Sequence, residues 1–264
     1  MRLLFSALCV ALFTAPVAAK DVTIRWHGQS FFEVVTGDGG VIAIDPHNIE
    51  AYGSRSIKAD LILVSHLHTD HCTFTNIENF AKTTTLYGIK NKDGVVGDRK
   101  KDEFNILDET IKEGKLKGVK IQTVGTYHDE FQGMVRGLNS VLIIETDGIR
   151  LCHLGDLGHK LTPAQLKKIG KVDVLMIPVG GVYTINGKTA REVVDQIKPT
   201  RLVFPMHRGT DVYDDLLNHE EFVEEFDKKL PVKEEKFNEL VFAADRPAPK
   251  EPTIVLLNHK QKEK

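Results

Sequence analysis

Three imidazoles and a carboxylate crowd into six positions, His66-Leu67-His68-Thr69-Asp70-His71. An apolar run, residues 61–64, precedes them and reads as a strand that ends where the histidines begin. In an extended segment, residues two apart point the same way, so His66 and His68 can grip one cation together. The turn that follows carries Asp70 and His71 to a second position close by. Imidazole nitrogen and carboxylate oxygen suit zinc at about 2.0–2.2 Å, and the same donors admit manganese or iron. The chain holds 11 histidines in 264 residues, so three at this spacing are improbable as a chance polar loop.

Other side chains must complete such a site, and three follow apolar strands. His128 stands in Thr126-Tyr127-His128-Asp129-Glu130, after the strand expected at 119–124. Asp156 follows the strand expected at 150–153, between Gly155 and Gly158, whose missing Cβ permits close backbone approach. A carboxylate there can bridge two cations. His207 ends Pro205-Met206-His207, after the strand expected at 201–204. Loops at strand ends are where side chains distant in sequence converge on a rigid scaffold.

The elements that must position these groups are short. Strands are expected at 22–26, 31–35, 41–44, 61–64, 84–87, 119–124, 140–145, 150–153, 172–177 and 201–204, with Asp147-Gly148 as a hairpin turn. Thr162-Pro163-Ala164-Gln165 is a capping box that opens a helix. Thr189-Ala190-Arg191-Glu192 reads as a second, Asn218 as the cap of a third, and a short helix is expected near 76–81. Strands come first and then strands mixed with helices, twice over, which implies two sheets packed face to face with helices outside. Residues 90–117, rich in charge and glycine, read as a solvated excursion, and the last dozen residues as a fraying end.

Lys plus Arg number 35 against 37 Asp plus Glu, a formal net charge of -2. Nothing in that balance suggests a polyanion partner, so a small-molecule substrate and no nucleic acid are expected. Residues 1–19 have the layout of a secretory signal peptide: Arg2, an apolar run, Pro16, then Val17-Ala18-Ala19. The apolar run is shorter than the roughly 20 residues of a membrane span. The expected product is one domain, residues 20–264, periplasmic or secreted, with no stable span after cleavage. Cys72 and Cys152 remain as two small buried side chains, and their pairing is left open, as is the oligomeric state.

The order His-x-His-x-Asp-His, a lone His, Gly-Asp and a strand-terminal His resembles the metallo-β-lactamase superfamily. Trp26-His27-Gly28-Gln29-Ser30, Ile44-Asp45-Pro46, Gly137-Leu138-Asn139-Ser140, Pro178-Val179-Gly180-Gly181 and Pro205-Met206-His207 are similar to its L-ascorbate-6-phosphate lactonase-like branch. The resemblance implies an α/β, four-layer αββα sandwich of two mixed sheets flanked by helices. It implies that His66, His68 and His128 bind a first divalent ion, that Asp70, His71 and His207 bind a second, and that Asp156 bridges them. Asp45 would orient the ligand histidines, a common need at metal sites; the plainer reading is a turn residue before Pro46. His159 and Arg208 could reach substrate, as could Arg136. His153 reads as a core or supporting residue, His27 and His47 as strand-end residues that could face the site, His219 and His259 as surface, and Trp26 as packing.

Two adjacent cations, zinc by preference, would lower the pKa of a shared water. The resulting metal-bridging hydroxide would attack a carbonyl carbon while a metal stabilises the oxyanion, and Asp70 would hold or accept the proton. The expected protein is an exported dinuclear metal-dependent hydrolase of a small-molecule ester or lactone. The competing readings are a metal-dependent phosphodiesterase and a non-catalytic exported metal-binding protein. The lactonase-like branch is known for an intracellular sugar-phosphate lactone, so the export signal leaves the substrate open.

Overall fold

The computed structural model describes residues 21–91, 101–227 and 229–262. The expected leader lies outside them, as do residues 92–100 of the charged excursion. In chain order the strands are β1 (Asp21–Trp26), β2 (Phe32–Val35), β3 (Val41–Ile44), β4 (Leu61–Val64), β5 (Thr84–Tyr87), β6 (Ile89–Asn91), β7 (Asp102–Phe104) and β8 (Asp108–Thr110). They continue as β9 (Lys120–Tyr127), β10 (Leu138–Thr146), β11 (Ile149–His153), β12 (Val174–Pro178), β13 (Leu202–Met206), β14 (Val232–Glu234), β15 (Glu239–Ala243) and β16 (Thr253–Leu256). The helices are α1 (Pro163–Ile169), α2 (Gly187–Ile197) and α3 (Glu220–Glu224).

Two mixed sheets form, in the orders β15-β1-β2-β3-β4-β5 and β14-β16-β13-β12-β11-β10-β9-β8, with β6-β7 as a separate ribbon. Alternation in β1 turns Val22, Ile24 and Trp26 inward. They meet Leu142, Ile144, Met176, Phe204 and Val255 of the second sheet in one apolar layer. Each such side chain, buried fully, stabilises the fold by about 1.5–3 kcal/mol. The second sheet is apolar on its other face too, where Ile143, Leu175, Ile177 and Val203 pack against Ala190, Val193, Val194 and Ile197 of α2. The mixed two-sheet α/β architecture is the expected one. The first sheet's outer face, Ala43, Ile62 and Val64, is covered by Ile57 and Ile77 of an irregular segment. Its 3-10 turns at Glu50–Tyr52 and Phe80–Lys82 stand where a helical layer was expected.

The helix expected near 76–81 does not form. Asn76 accepts from the Arg55 N–H and donates to the His47 carbonyl, while Asn79 accepts from the Ala59 N–H and donates to its carbonyl. Asparagines that bind backbone in this way compete with the helix ladder. At α1 the capping box forms between Thr162 and Gln165. The start of α2 moves forward: Asn186 is the cap, accepting from the Thr189 N–H at 3.0 Å, so Thr189 lies inside the first turn. His219, not Asn218, occupies the cap position of α3, although Asn218 accepts from the Glu220 N–H at 3.3 Å.

Two surface expectations are overturned. The last dozen residues open with β16, which is held between β13 and β14, and Ile254 to Leu257 are buried. Their run Ile-Val-Leu-Leu is buried on both faces, as a central strand requires. Within the charged excursion Leu107 and Leu116 reach the inter-sheet core. Cys72 and Cys152 are separate free thiols. Burial pushes the Cys152 thiol up to about 12. Among the described residues no helix is long and apolar enough to cross a membrane.

Candidate metal centre

Five strands end at one rim. Asp45 follows β3, Ser65 and His66 follow β4, His128 follows β9, Asp156 comes after β11, and His207 follows β13. Both sheets contribute, so the sandwich gathers groups from residues 45 to 207 at one edge. One carboxylate oxygen lies at the middle. Asp156 Oδ2 is 3.2 Å from His71 Nε2, 3.1 Å from His128 Nε2, 3.1 Å from His207 Nε2 and 3.9 Å from His66 Nε2. His66 Nε2 is also 3.1 Å from His68 Nδ1, and His71 Nε2 is 3.6 Å from Asp70 Oδ2.

Ligand-capable atoms fall into sets whose members lie within 4.8 Å of one another: His66, His68 and His128; Asp70, His71 and His207; and Asp45, His66 and His71. The first two sets are the groups that the resemblance implied, with Asp156 between them. Asp45 in the third is already committed. It accepts from the Ser65 N–H and Ser65 Oγ, both at 2.6 Å, and from His71 Nδ1 at 2.9 Å. Ser65 Oγ, having given its proton to Asp45, accepts from His66 Nδ1 at 3.0 Å. One buried carboxylate thereby engages the Nδ1 of His71 directly and that of His66 through Ser65, an arrangement that leaves both Nε2 atoms to face inward.

Whether this donor set fits cations is a question of its unmet atoms. His71 Nε2 is fully buried, yet it makes no well-aligned hydrogen bond even to the carboxylate 3.2 Å away. Four imidazole nitrogens around one carboxylate oxygen are few protons for many acceptors, which is the composition that divalent ions complete. Burial and the charge of His71 hold His66 well below its ordinary range, and burial with His128 lowers His68 to about 4. Burial opposes ionisation of Asp156, but His207 and His71 outweigh it and keep the carboxyl well below its usual value. Neutral imidazole and ionised carboxylate are the forms that bind metal; His71, which Asp156 and Asp70 raise well above its ordinary value against the effect of burial, would give up a proton on binding one.

Backbone geometry is spent on the same goal. His207 sits at φ 47°, a left-handed conformation, held by its N–H to the Gln29 carbonyl at 2.9 Å. At Gly158 a Cβ would come within 2.3 Å of the His128 carbonyl carbon, and at Gly155, φ +55°, within 2.3 Å of Asn139 Oδ1. Gly158 therefore lets the loop pass close under the His128 turn, and Gly155 lets it pass Asn139 and Ser65, because neither carries a side chain.

Several supporting residues had no role in the sequence reading. Ser30 Oγ donates to Asp156 Oδ1 at 3.2 Å, Gln29 Nε2 donates to Asp70 Oδ2 at 3.3 Å, and Asn139 accepts from the Asp156 N–H at 2.9 Å. All three stand in segments already noted for their resemblance. His153 Nε2 is 2.9 Å from the Ser30 carbonyl, a buried supporting residue as expected. Asp129 gave no signal beyond its place after His128. It accepts from the backbone N–H groups of Phe131, Gly133, Val135 and Arg136 at 2.7–3.0 Å. Burial opposes its ionisation, but these four bonds prevail and hold its carboxyl below the usual range.

A cleft of about 450 Å³ opens above the cluster, lined by His68, Asp70, His128, Val135, Arg136, Asp156, Tyr183 and His207. Two residues expected at substrate are elsewhere. His159 Nε2 accepts from the Tyr127 N–H at 3.1 Å, and its Nδ1 donates to the Lys160 carbonyl at 2.7 Å, so both ring nitrogens are occupied away from the cleft. Arg208 is buried against Trp26, its guanidinium 4.7 Å from the ring, and donates to the Leu257 carbonyl. It lines a different cavity, of about 690 Å³. His259, expected at the surface, is 8% exposed and packs near Tyr52.

His47 permits a test of the rim's acid stability. Its Nε2 donates to the Gly28 carbonyl and its Nδ1 accepts from the Ile49 N–H, both at 3.1 Å, so the neutral ring is fully satisfied. Burial lowers its pKa from 6.5 to about 4. A histidine depressed in the folded state contributes stability that is present above pH 6.5 and is lost as pH falls toward 4. Urea unfolding between these limits should show a slope from this group of about 1.4 kcal/mol per pH unit. His47→Gln should remove that component; an unchanged slope would refute the assignment.

The family relationships agree with this geometry. Residues 23–207 match the model of the beta-lactamase superfamily domain. A UPF0173 protein of Pyrococcus furiosus is 33% identical over 214 residues, covering 78% of this chain and 91% of the relative. A UPF0173 metal-dependent hydrolase of Thermodesulfovibrio yellowstonii is 30% identical over 256 residues, covering 87% and 91%. A Thermotoga maritima crystal structure assigned to the metallo-β-lactamase superfamily is 32% identical, with a TM-score of 0.63 over 89% of this chain and 98% of that one. The chain belongs to the metallo-β-lactamase superfamily, in its UPF0173 group of metal-dependent hydrolases.

Proposed function

We propose that this protein is an exported dinuclear hydrolase of a small ester or lactone. The observation that carries the reading is the convergence of five histidines and two aspartates beneath an open cleft. His66, His68 and His128 would hold one divalent ion and Asp70, His71 and His207 the other, with Asp156 between them; zinc suits these donors, as do manganese and iron. Ions so held supply Lewis acidity and make water acidic enough to attack near neutral pH. Asp70 lines the cleft with its side chain 38% exposed, and Gln29 Nε2 steadies its Oδ2. From there it takes the proton of the attacking water and returns it to the leaving oxygen, so the carbonyl C–O bond breaks and an acid and an alcohol result. Ester or lactone chemistry is supported by the lactonase-like segments, and export by the signal-peptide layout of residues 1–19.

Purified protein should hold about two metal ions per chain by elemental analysis. It should turn over members of an ester and lactone panel. A chelator should abolish turnover, and added zinc, manganese or ferrous iron should restore it. Faster cleavage of bis(p-nitrophenyl) phosphate than of any carboxylic ester would move the chemistry to phosphorus. Tight metal binding without turnover of any substrate would favour a non-catalytic metal-binding protein. A mature amino terminus at residue 20 in the exported fraction would support the export reading, and retention of residues 1–19 in the cytoplasmic fraction would oppose it.

A further inference from the structure

Eleven large apolar side chains are exposed among the described residues, and five of them sit on two segments beside the cleft. Met134 is 83% exposed, Phe131 60%, Val135 55%, Val182 52% and Tyr183 49%. The first segment is the loop that Asp129 ties down through four N–H bonds, so its apolar tips are held out rather than left loose. The second contains Val182 at φ 56°. A β-branched residue in the left-handed region is a true outlier, and such strain marks functional turns more often than inert ones. Arg136 joins the two: its Nη2 donates to the Val182 carbonyl at 3.0 Å, and its guanidinium lies 5.7 Å from the Tyr183 ring centre. Arg136 is the single Arg or Lys lining the cleft, and no carboxylate pairs with it among the described residues.

We infer that the cleft selects amphiphilic monoanions: esters or lactones with one acidic group, bound by Arg136, and an apolar acyl or aryl portion laid along Val135, Val182 and Tyr183. This rests on the hydrolase reading and names its substrate class. A guanidinium fork matches a carboxylate or phosphate in two parallel bonds, and Arg136 lines the cleft with only its Nη2 engaged, by the Val182 carbonyl, among the described residues. The apolar rim then receives the rest of the molecule as it leaves the cleft mouth. A polar sugar would leave that rim exposed to water, whereas an acyl chain covers it.

The test uses the full mature chain loaded with metal. Its substrates are p-nitrophenyl acetate, butyrate and octanoate, with the p-nitrophenyl monoesters of succinic and suberic acid as acidic partners. Acidic esters should exceed neutral ones of matched length by about tenfold or more in kcat/KM, and each added methylene should raise it by up to about fourfold. In Arg136→Gln the acid-to-neutral ratio should collapse toward one, with Arg136→Lys recovering part of it. In Val135→Ser combined with Tyr183→Ser, the rise with chain length should flatten. A calorimetric arm needs no turnover: octanoate should bind more tightly than octanamide, and Arg136→Gln should weaken octanoate binding by about 10–100-fold. Turnover of neutral esters with no acid preference overturns the inference and leaves the hydrolase reading standing. Absence of turnover on every ester and lactone removes the ester and lactone reading, and octanoate binding then decides the recognition alone. Octanoate bound equally well by Arg136→Gln overturns it, as does a rim that binds phosphatidylcholine vesicles while showing no acid preference.

Discussion

Replacing Asp156 by alanine is expected to lower kcat/KM on the best ester by about 10³-fold or more and to reduce bound metal from about two ions per chain to one or none. The size follows from position. Its Oδ2 is within 3.2 Å of the Nε2 atoms of His71, His128 and His207, so one oxygen bears on three candidate ligands at once. Metal-ion catalysis is worth several kcal/mol of transition-state stabilisation, and each 1.4 kcal/mol or so is a factor of ten in rate. The metal-free variant should suffer as well. Burial opposes the charge on His71, but Asp156 and Asp70 prevail and raise its pKa well above the ordinary value. Without Asp156 a fully buried imidazolium loses the carboxylate 3.2 Å from its Nε2 and keeps Asp45 at 2.9 Å from its Nδ1, so the cost should fall at or below the low end of the roughly 3–5 kcal/mol typical of a buried pair broken from one side. Asp156→Asn keeps the shape and the bond from Ser30 but removes the charge, so it separates the two effects. Two metals per chain and undiminished turnover in Asp156→Ala would remove this carboxylate from the centre of the site.

The site was legible in the chain because of how strands end. His66 and His68 follow an apolar strand at a spacing of two, and His128 and His207 do the same singly. Strand alternation and strand ends are local properties, so they survive translation into sequence. What was not legible depends on direction or on distant partners. Arg208 stands one residue after a candidate ligand, yet it points away. The left-handed backbone at His207 turns the chain and sends the guanidinium under Trp26. His159 follows the Asp156 loop closely, but the N–H of Tyr127, the last residue of β9, claims its ring. β15 pairs with β1 across more than 200 residues, and no local pattern in 239–243 announces that partner. The Lys-rich end concealed β16 for another reason: its four residues are too short a run to outweigh the charged residues around them, and only the sheet's interior shows why they are apolar. Asp129 illustrates the general limit. A carboxylate that ties a loop by four backbone bonds has no side-chain partner to covary in type or spacing with it.

Asp45→Ala is expected to have the second-largest effect, and it acts entirely through other residues. Removing this carboxylate leaves three buried donors without an acceptor: the Ser65 N–H, the Ser65 hydroxyl and His71 Nδ1. Each orphaned buried group costs about 1–3 kcal/mol. Asp45 also sits at φ 50°, where alanine is disfavoured by roughly 1–2 kcal/mol. Together these place the variant among the strongly destabilising substitutions, in excess of about 4 kcal/mol, measured as a shift in the urea midpoint of the metal-free protein. Metal affinity should fall about 10–100-fold, the usual consequence of losing a carboxylate that orients ligating histidines. Asp45→Asn distinguishes orientation from mere packing. Asparagine tolerates the left-handed backbone and can accept from Ser65 through its oxygen, so much of the stability should return. The Ser65 N–H donates to Oδ1, whereas the Ser65 hydroxyl and His71 Nδ1 both donate to Oδ2; an amide oxygen that keeps the Ser65 N–H turns its NH2 toward the other two, so the histidines lose their lock and metal affinity should stay low. Recovery of both stability and metal affinity in Asp45→Asn would show that Asp45 fills space at the end of β3 and does not aim the ligands.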